Sequence, residues 1–260
     1  METQHAQKLL KNGQKKNILE PNLWLISVGD FPCEINIRLG GENKLVSLMP
    51  GWKGLLAMRR LSLKIEKGYL FFHEIDLMIM TKLQSFIDKS MNRKEEKNVS
   101  QCDFSLIKTD EISILTSRRE LEYWLLRQTL NPQPGMEGFV DLLRSTEWYW
   151  LVYFLLDEFT GSNKLQDLGQ RYGLSTSHFR RLCRQALGNT TKVALRDWRM
   201  GKAVLALIDE NQNLTEIAFE HGYSSLSHFS NEFKETLGVS PRGLRHIIAD
   251  NSTHLNKIGL

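Results

Sequence analysis

Two stretches of the chain, about 50 residues apart, repeat the same order of residue types. The first is LQDLGQRYGLSTSHFRRLCRQALG from Leu165, and the second is LTEIAFEHGYSSLSHFSNEFKETLG from Leu214. Each predicts a short helix, a glycine that suits a left-handed backbone, and a second helix that ends at a Leu-Gly pair. A serine behind the glycine, Ser175 or Ser224, is placed to cap the second helix. The sequence therefore predicts two helix-turn-helix units in one chain.

The segment between the two units predicts one continuous helix, Thr191–Leu207. At the usual rise per residue this helix would span about 26 Å. With turns and side chains added, the two second helices could lie about 34 Å apart, which is one turn of B-DNA. A chain built in this way could place them in two successive major grooves on one face of a duplex.

Positive charge is concentrated around the first unit. The whole chain has a net charge of only +4, but residues 164–202 hold nine Lys or Arg against two acids. From residue 203 to the end the balance reverses, with four Lys or Arg against seven Asp or Glu. A local basic excess of this kind is typical of a surface that binds a polyanion.

The region before the repeats has a different pattern. Its first 70 residues alternate apolar and polar side chains, and a Gly-Gly-Glu-Asn break within Cys33–Leu48 predicts a hairpin. Helical spacing begins near Glu74 and predicts a helix over Glu74–Lys89, with another over Arg118–Leu130. The stretch NPQPGMEG, Asn131–Gly138, cannot continue a helix and predicts a domain boundary.

We therefore expect an α+β fold. Residues 1–130 would form a small β-rich N-terminal regulatory domain with a helical connector, and residues 139–249 an all-α, double helix-turn-helix DNA-binding domain. The helices expected after the boundary are 139–159, 164–171, 176–187, 191–208, 214–220, 225–236 and 241–248.

Sequence patterns for catalysis or for cofactor binding are absent. The chain has no G-x-S-x-G stretch, no glycine-rich phosphate loop and no plausible catalytic triad. Before Asn131 it has only His5 and His73, too few for a metal-binding barrel, and His178 and His228 lack carboxylates at ligand spacing. We expect no enzymatic activity, no catalytic residue, no cofactor and no metal.

Composition also bears on localisation. The longest strongly apolar run, Trp148–Leu156, has nine residues, whereas a membrane span needs about 20. The N-terminus is polar and lacks the apolar core of a signal peptide. Three scattered cysteines, Cys33, Cys102 and Cys183, are typical of free thiols in a reducing compartment. We expect a cytoplasmic protein without a membrane partner.

Several stretches resemble the AraC/XylS family of transcription regulators. They are RDWRMGKAVLAL (Arg196–Leu207), IAFEHGYSSLSHFSNEFKETLGVSP (Ile217–Pro241) and RGLR (Arg242–Arg245). Three others, LEYWLLRQTLNPQP, STEWYWLVYFLL and YGLSTSHFRRLCRQALG, resemble InvF-like activators of type III secretion genes, with MxiE-like ones nearby. This resemblance spans about residues 80–249, and the strand-rich first 70 residues match poorly.

By position, the resemblance implies six base-contacting residues: Ser177, Arg180 and Arg181 in the first unit, and Ser227, His228 and Asn231 in the second. The chemistry agrees, because arginine pairs with guanine, asparagine with adenine, and serine with several acceptors. Six further residues would hold phosphates: Ser175, Thr176, Arg184, Lys192, Lys234 and Arg245.

The second unit departs from the family pattern. The family commonly has arginine where this chain has Asn231, and Glu220, Glu232 and Glu235 crowd the same unit. We therefore expect the second unit to bind DNA more weakly than the first.

The resemblance implies a sequence-specific activator of type III secretion effector genes. Its partners would be double-stranded promoter DNA, RNA polymerase and a tetratricopeptide-type secretion chaperone that co-activates it. Two alternatives stay open at this point. One is control by a small-molecule effector in the N-terminal domain, and the other is an adaptor that keeps the helical fold without binding DNA.

Overall fold

The computed structural model describes residues 7–93, 103–109, 117–158, 164–208 and 212–247. His5, Cys102 and the residues after 247 lie outside these ranges. The chain divides into two compact units, Met1–Tyr153 and Phe154–Leu260.

Two antiparallel sheets form the β-rich part of the first unit. One has the strand order β1-β8-β3-β6-β9 and the other has the order β2-β7-β4-β5. The strands are β1 (Lys8–Lys11), β2 (Lys15–Ile18), β3 (Asn22–Val28), β4 (Cys33–Leu39), β5 (Glu42–Leu48), β6 (Lys53–Met58), β7 (Leu61–Lys67), β8 (Tyr69–Ile75) and β9 (Phe104–Lys108).

Helices begin after β8 and continue through the second compact unit. They are α1 (Leu77–Ser90), α2 (Arg118–Leu130), α3 (Met136–Arg144), α4 (Glu147–Glu158), α5 (Leu165–Tyr172), α6 (Thr176–Leu187), α7 (Thr191–Ile208), α8 (Leu214–Glu220) and α9 (Leu226–Leu237). Helix α1 lies between β8 and β9 in the chain, and the other helices follow β9. Residues 241–247 are also helical. The predicted α+β fold is confirmed. No helix in the described ranges is long and apolar enough to cross a membrane.

The predicted hairpin is the β4–β5 pair. Leu39 pairs with Glu42, and the two residues between them, Gly40 and Gly41, have φ values of +53° and +103°. A two-residue turn with both φ values positive matches the right-handed twist of the flanking strands, and glycine adopts it without strain.

The compact unit Met1–Tyr153 has a core on each side of its five-stranded sheet. Between the two sheets, the rings of Trp24 and Phe72 stack at 4.1 Å within a buried cluster. On the other face, Leu23 lies with Trp124 of α2 and Phe139 of α3 in a second buried cluster. Because successive residues of β3 face opposite cores, that strand is apolar almost throughout.

The compact units divide later along the chain than the predicted boundary at Asn131–Gly138. Strand β9, which was not predicted, pairs with β6, and the Ser105 hydroxyl donates to the Gly135 carbonyl at 2.6 Å. Helix α3 then adds four buried apolar side chains to the core of the first compact unit. The limits of the predicted domains, 1–130 and 139–249, stay a prediction.

The single helix predicted over residues 139–159 is wrong, because the structure has α3 and α4 there. The hydroxyls of Ser145 and Thr146 donate back to the carbonyls of Leu142 and Leu143, which ends α3. The Thr146 oxygen also accepts from the Tyr149 N–H at 3.2 Å and begins α4. Side chains that bond to their own backbone compete in this way with a continuous helix.

A buried ion pair joins α1 to α3 and to the start of α4. Arg144 donates to both oxygens of Asp88 at 2.7 and 2.8 Å, and the Tyr149 hydroxyl donates at 2.8 Å. Burial alone would raise the pKa of Asp88, but these donors outweigh it and hold the pKa below its ordinary value. The buried face of α1 is therefore partly polar, since Thr81, Gln84, Ser85 and Asp88 are buried beside its apolar residues.

Candidate nucleic-acid interface

Helices α5 and α6 form the first helix-turn-helix unit. Gly169 lies against α6, since a Cβ at this position would be 3.2 Å from the Cβ of Phe179. Helix α5 ends at Gly173, whose φ of +83° is left-handed, and Ser175 accepts from the His178 N–H to begin α6. The predicted glycine turn and serine cap are confirmed in this unit.

One face of α6 is exposed and basic. Its buried residues are Phe179, Leu182, Cys183, Ala186 and Leu187, and the exposed ones include Ser177, Arg180, Arg181 and Arg184. None of the three arginines has an ion-pair or hydrogen-bond partner in the described part of the chain. The helix contains no Asp or Glu. Their guanidinium groups can therefore donate to guanine edges or to phosphates outside the protein.

Helices α8 and α9 form the second unit with the same geometry. Asn213 and Glu216 make a capping box at the start of α8. The turn passes through Gly222, with a φ of +73°, and α9 is anchored by the fully buried rings of Phe229 and Phe233. The repeat in the sequence is therefore a structural repeat.

The cap of α9 differs from the prediction. Ser225, and not Ser224, accepts from the His228 N–H, at 3.1 Å. The oxygen of Ser224 instead lies 3.2 Å from Nδ1 of His228. The second turn is one residue longer than the first, which moves the cap by one position.

The exposed face of α9 carries less positive charge than that of α6. Ser227, His228, Asn231 and Lys234 are exposed, so the predicted contact residues of this helix face solvent. The helix also holds Glu232 and Glu235. We therefore still expect weaker electrostatic attraction to phosphates at the second helix-turn-helix unit.

The predicted phosphate-contacting residues are placed in different ways. Ser175 and Thr176 begin α6, and Lys192 is exposed in the first turn of α7. Arg245 is half-buried and donates to the Gln212 carbonyl at 2.8 Å, so it also supports the protein backbone. The roles assigned to the twelve base- and phosphate-contacting residues stay predictions.

The long helix predicted between the units is α7, with 18 residues. At the usual rise it is about 27 Å long. Thr191, at its start, hydrogen-bonds the Cys183 thiol of α6, whose pKa is raised by burial despite this bond. Near its other end, Ala203 and Leu207 lie in the core of the second unit. Both helix-turn-helix units are thus attached to one continuous helix.

Sequence reasoning missed a polar group beneath α9. Arg199 of α7 and the buried Tyr223 both contact the carboxylate of Glu232. Nothing in the spacing indicates this contact, because Arg199 and Glu232 are 33 residues apart. Burial raises the pKa of Tyr223 to about 12, and Glu232 adds to this effect, so the hydroxyl remains a donor.

No group of three His, Cys, Asp or Glu side chains within the described ranges is placed to hold a metal ion. His221 is a separate case, because both ring nitrogens are buried without a hydrogen-bond partner there. Burial lowers the pKa of this imidazole below its ordinary value.

Comparison with known proteins gives the following similarities. A helix-turn-helix domain model matches residues 168–247. The invasion protein InvF of Salmonella typhimurium is 41% identical over 181 residues, which cover 70% of this chain and 83% of InvF. The transcriptional regulator MxiE of Shigella flexneri is 29% identical over 198 residues, 75% of this chain and 94% of MxiE. The C-terminal domain of AraT, a response regulator from Geobacillus stearothermophilus, is 27% identical with a TM-score of 0.36 and covers 38% of this chain and 84% of the solved chain.

Proposed function

The chain belongs to the AraC/XylS family of transcription regulators, to its InvF-like members, and from this premise we propose how it selects DNA and how it is controlled. It is a DNA-binding transcription activator and not an enzyme. We propose that its targets are genes of a type III secretion system, and that it acts in the cytoplasm of a bacterium.

The proposed binding mode is inferred from the exposed face of α6. Three arginines without partners in the described chain project from the second helix of a helix-turn-helix unit. In such units the second helix enters the major groove. We propose that Ser177, Arg180 and Arg181 contact bases there, and that Ser175, Thr176, Arg184 and Lys192 hold the flanking phosphates.

The second unit would enter the next major groove. Ser227, His228 and Asn231 would contact bases, while Lys234 and Arg245 would hold phosphates. Helix α7 supports this arrangement because one continuous helix joins the two helix-turn-helix units. Its length of about 27 Å leaves room for a separation of one DNA turn between α6 and α9.

Activation requires partners besides DNA. We propose RNA polymerase as one partner, because an activator acts on the polymerase. We propose a tetratricopeptide-type secretion chaperone as the co-activator. The surface that we assign to the chaperone is on α2. There Tyr123, Leu126 and Leu130 are 61%, 46% and 78% exposed.

The spacing of these three residues puts them on one side of α2, opposite the buried Leu121 and Trp124. An exposed apolar stripe on a helix fits a concave groove made of helical repeats. Buried apolar side chains pack together between the two sheets of the β-rich part. This packing favours control through the α2 surface over control by a small molecule bound between the sheets.

Transcription from a target promoter tests the proposal. Full-length protein with RNA polymerase should activate weakly alone and strongly when the cognate chaperone is added. A Leu126→Ser/Leu130→Ser variant should keep its DNA affinity and lose the stimulation. Arg118→Gln, which changes an exposed ion pair on the same helix, is the matched control and should respond normally. Full activation without the chaperone would contradict the proposed control.

A further inference from the structure

A charged network lies beneath the exposed face of α9. Nη2 of Arg199 is 3.4 Å from each carboxylate oxygen of Glu232, and the Tyr223 hydroxyl donates to the same carboxylate at 3.3 Å. The Arg199 guanidinium also lies over the Tyr223 ring, 4.5 Å from its centroid. Helix α7, the turn and α9 are therefore joined at one carboxylate.

The same network surrounds His228. Its Nε2 is 3.7 Å from Oε2 of Glu232, and its Nδ1 is 3.2 Å from the Ser224 oxygen. The ring meets Tyr223 edge to face, with centroids 5.5 Å apart. The imidazole is thus held from three sides while half of the side chain stays exposed. A side chain held in this way has one preferred orientation, which favours selection among bases.

The first unit is built differently at the equivalent position of its second helix. Leu182 stands there and is 4% exposed, so α6 is anchored by apolar packing that has no directional preference. A helix-turn-helix unit therefore folds in this chain without a charged network.

A stabilising role alone also fits the network poorly. Nε of Arg199 is buried without a hydrogen-bond partner in the described ranges. The side chains of Arg199 and Glu232 are only 19% and 14% exposed. Removing charges from water offsets much of what an ion pair contributes to stability. In some proteins such pairs fix one arrangement among several.

We propose that Arg199 and Glu232 are positioning residues that set the base preference of the second unit by fixing the orientation of His228. Neither residue needs to touch DNA. This inference rests on the proposed function, in which His228 faces a base.

Selection from randomised DNA with the full-length protein tests the inference. His228→Ala first identifies the base pair whose preference depends on His228. At that base pair, Arg199→Met and Glu232→Gln should each lower the preference about tenfold. Arg199→Lys should restore it only in part, because lysine keeps the charge but lacks the planar fork. The double variant Arg199→Met/Glu232→Gln should lose no more than either single variant.

Preferences selected by α6 should stay unchanged in all of these variants. Arg196→Met is the matched control, because Arg196 lies on the same helix but pairs only with the exposed Asp197 among the described residues. Glu232→Gln keeps the shape of the side chain, and thermal unfolding of each variant confirms that it is folded. A uniform loss of affinity with unchanged base preference would show a structural role and overturn the inference. A wild-type chain that selects no sequence would overturn the proposed function itself.

Discussion

At the residue scale, we propose that base selection in the first helix-turn-helix unit depends on Arg180 and Arg181. Both are exposed, and neither has a partner within the described ranges. A guanidinium group that donates twice to guanine contributes about 1–3 kcal/mol of discrimination against the wrong base, whereas a phosphate contact contributes to all sequences alike.

We expect Arg180→Ala and Arg181→Ala each to weaken binding to the target site by about 1–3 kcal/mol and to weaken non-specific binding less. Titration of target and scrambled duplexes at one salt concentration measures both quantities. Arg171→Ala is the control, because Arg171 lies on α5 and forms an ion pair with Glu158 of α4. Equal losses on both duplexes would show that the two arginines contact only phosphate.

We expect His221 to give the second helix-turn-helix unit a stability that depends on pH. Its pKa in the folded chain is lowered by burial from 6.5, while Glu220 opposes this effect and Lys202 adds to it. The unfolded chain therefore binds the proton first as the pH falls, and the folded state loses stability from about pH 6.5 downward until the folded pKa is passed. Above pH 6.5 this contribution is fully present.

Urea unfolding at pH 7.5 and pH 5.5 checks this expectation. His221→Phe should lose less stability between the two pH values than the wild type, because it removes the buried group that takes up the proton. His246→Phe changes an exposed imidazole and is the control. The same pH dependence in wild type and His221→Phe would contradict the account.

Sequence reasoning at this scale worked where a role depends on neighbours along the chain. Ser175 could be assigned as a cap from its distance to the glycine, but the same rule gave Ser224, because the longer second turn moves the cap to Ser225. Arg199 could not be found at all, since its role depends on a carboxylate that only the fold brings near.

At the scale of elements, the two second helices differ in charge. Helix α6 carries three arginines and no acid, whereas α9 carries one lysine and two glutamates. Each phosphate that a protein neutralises steepens the dependence of affinity on salt by a slope of about −0.9. The first unit should therefore account for most of the salt dependence.

We expect removal of charge at Arg184 or Lys192 to flatten the slope of log affinity against log salt by about one unit each. Glu235→Gln on α9 is the opposite change and should raise affinity without flattening the slope. Affinities measured at several salt concentrations give all of these slopes. An unchanged slope in both Arg184→Gln and Lys192→Gln would show that the phosphate-binding surface lies elsewhere.

Element prediction succeeded where a strong local signal was present. The hairpin at Gly40–Gly41 and the helices of both repeats were predicted within a residue or two. The break between α3 and α4 was not, because it depends on the hydroxyls of Ser145 and Thr146 bonding to nearby carbonyls rather than on any helix-breaking residue. Strand β9 is short, and among the described residues it pairs with the distant strand β6 alone, so its own pattern does not identify it.

At the scale of the whole molecule, the chain separates a β-rich unit from a helical one, and α4 begins in the first and ends in the second. Hydrogen bonds from Arg144 and Tyr149 to the Asp88 carboxylate hold the start of α4 within the first compact unit. The packing of α3 against the sheet could not be predicted from the sequence, because it depends on tertiary contacts with strand β9, which was not predicted.

We propose that α6 and α9 enter two successive major grooves on one face of the DNA. Hydroxyl-radical footprinting of the full-length protein on a selected target tests it most directly. We expect two protected patches on the same face, centred about 10 base pairs apart, since that spacing is one turn of the duplex. Arg180→Ala/Arg181→Ala should remove one patch and His228→Ala/Asn231→Ala the other. A single patch, or two patches on opposite faces, would contradict the account.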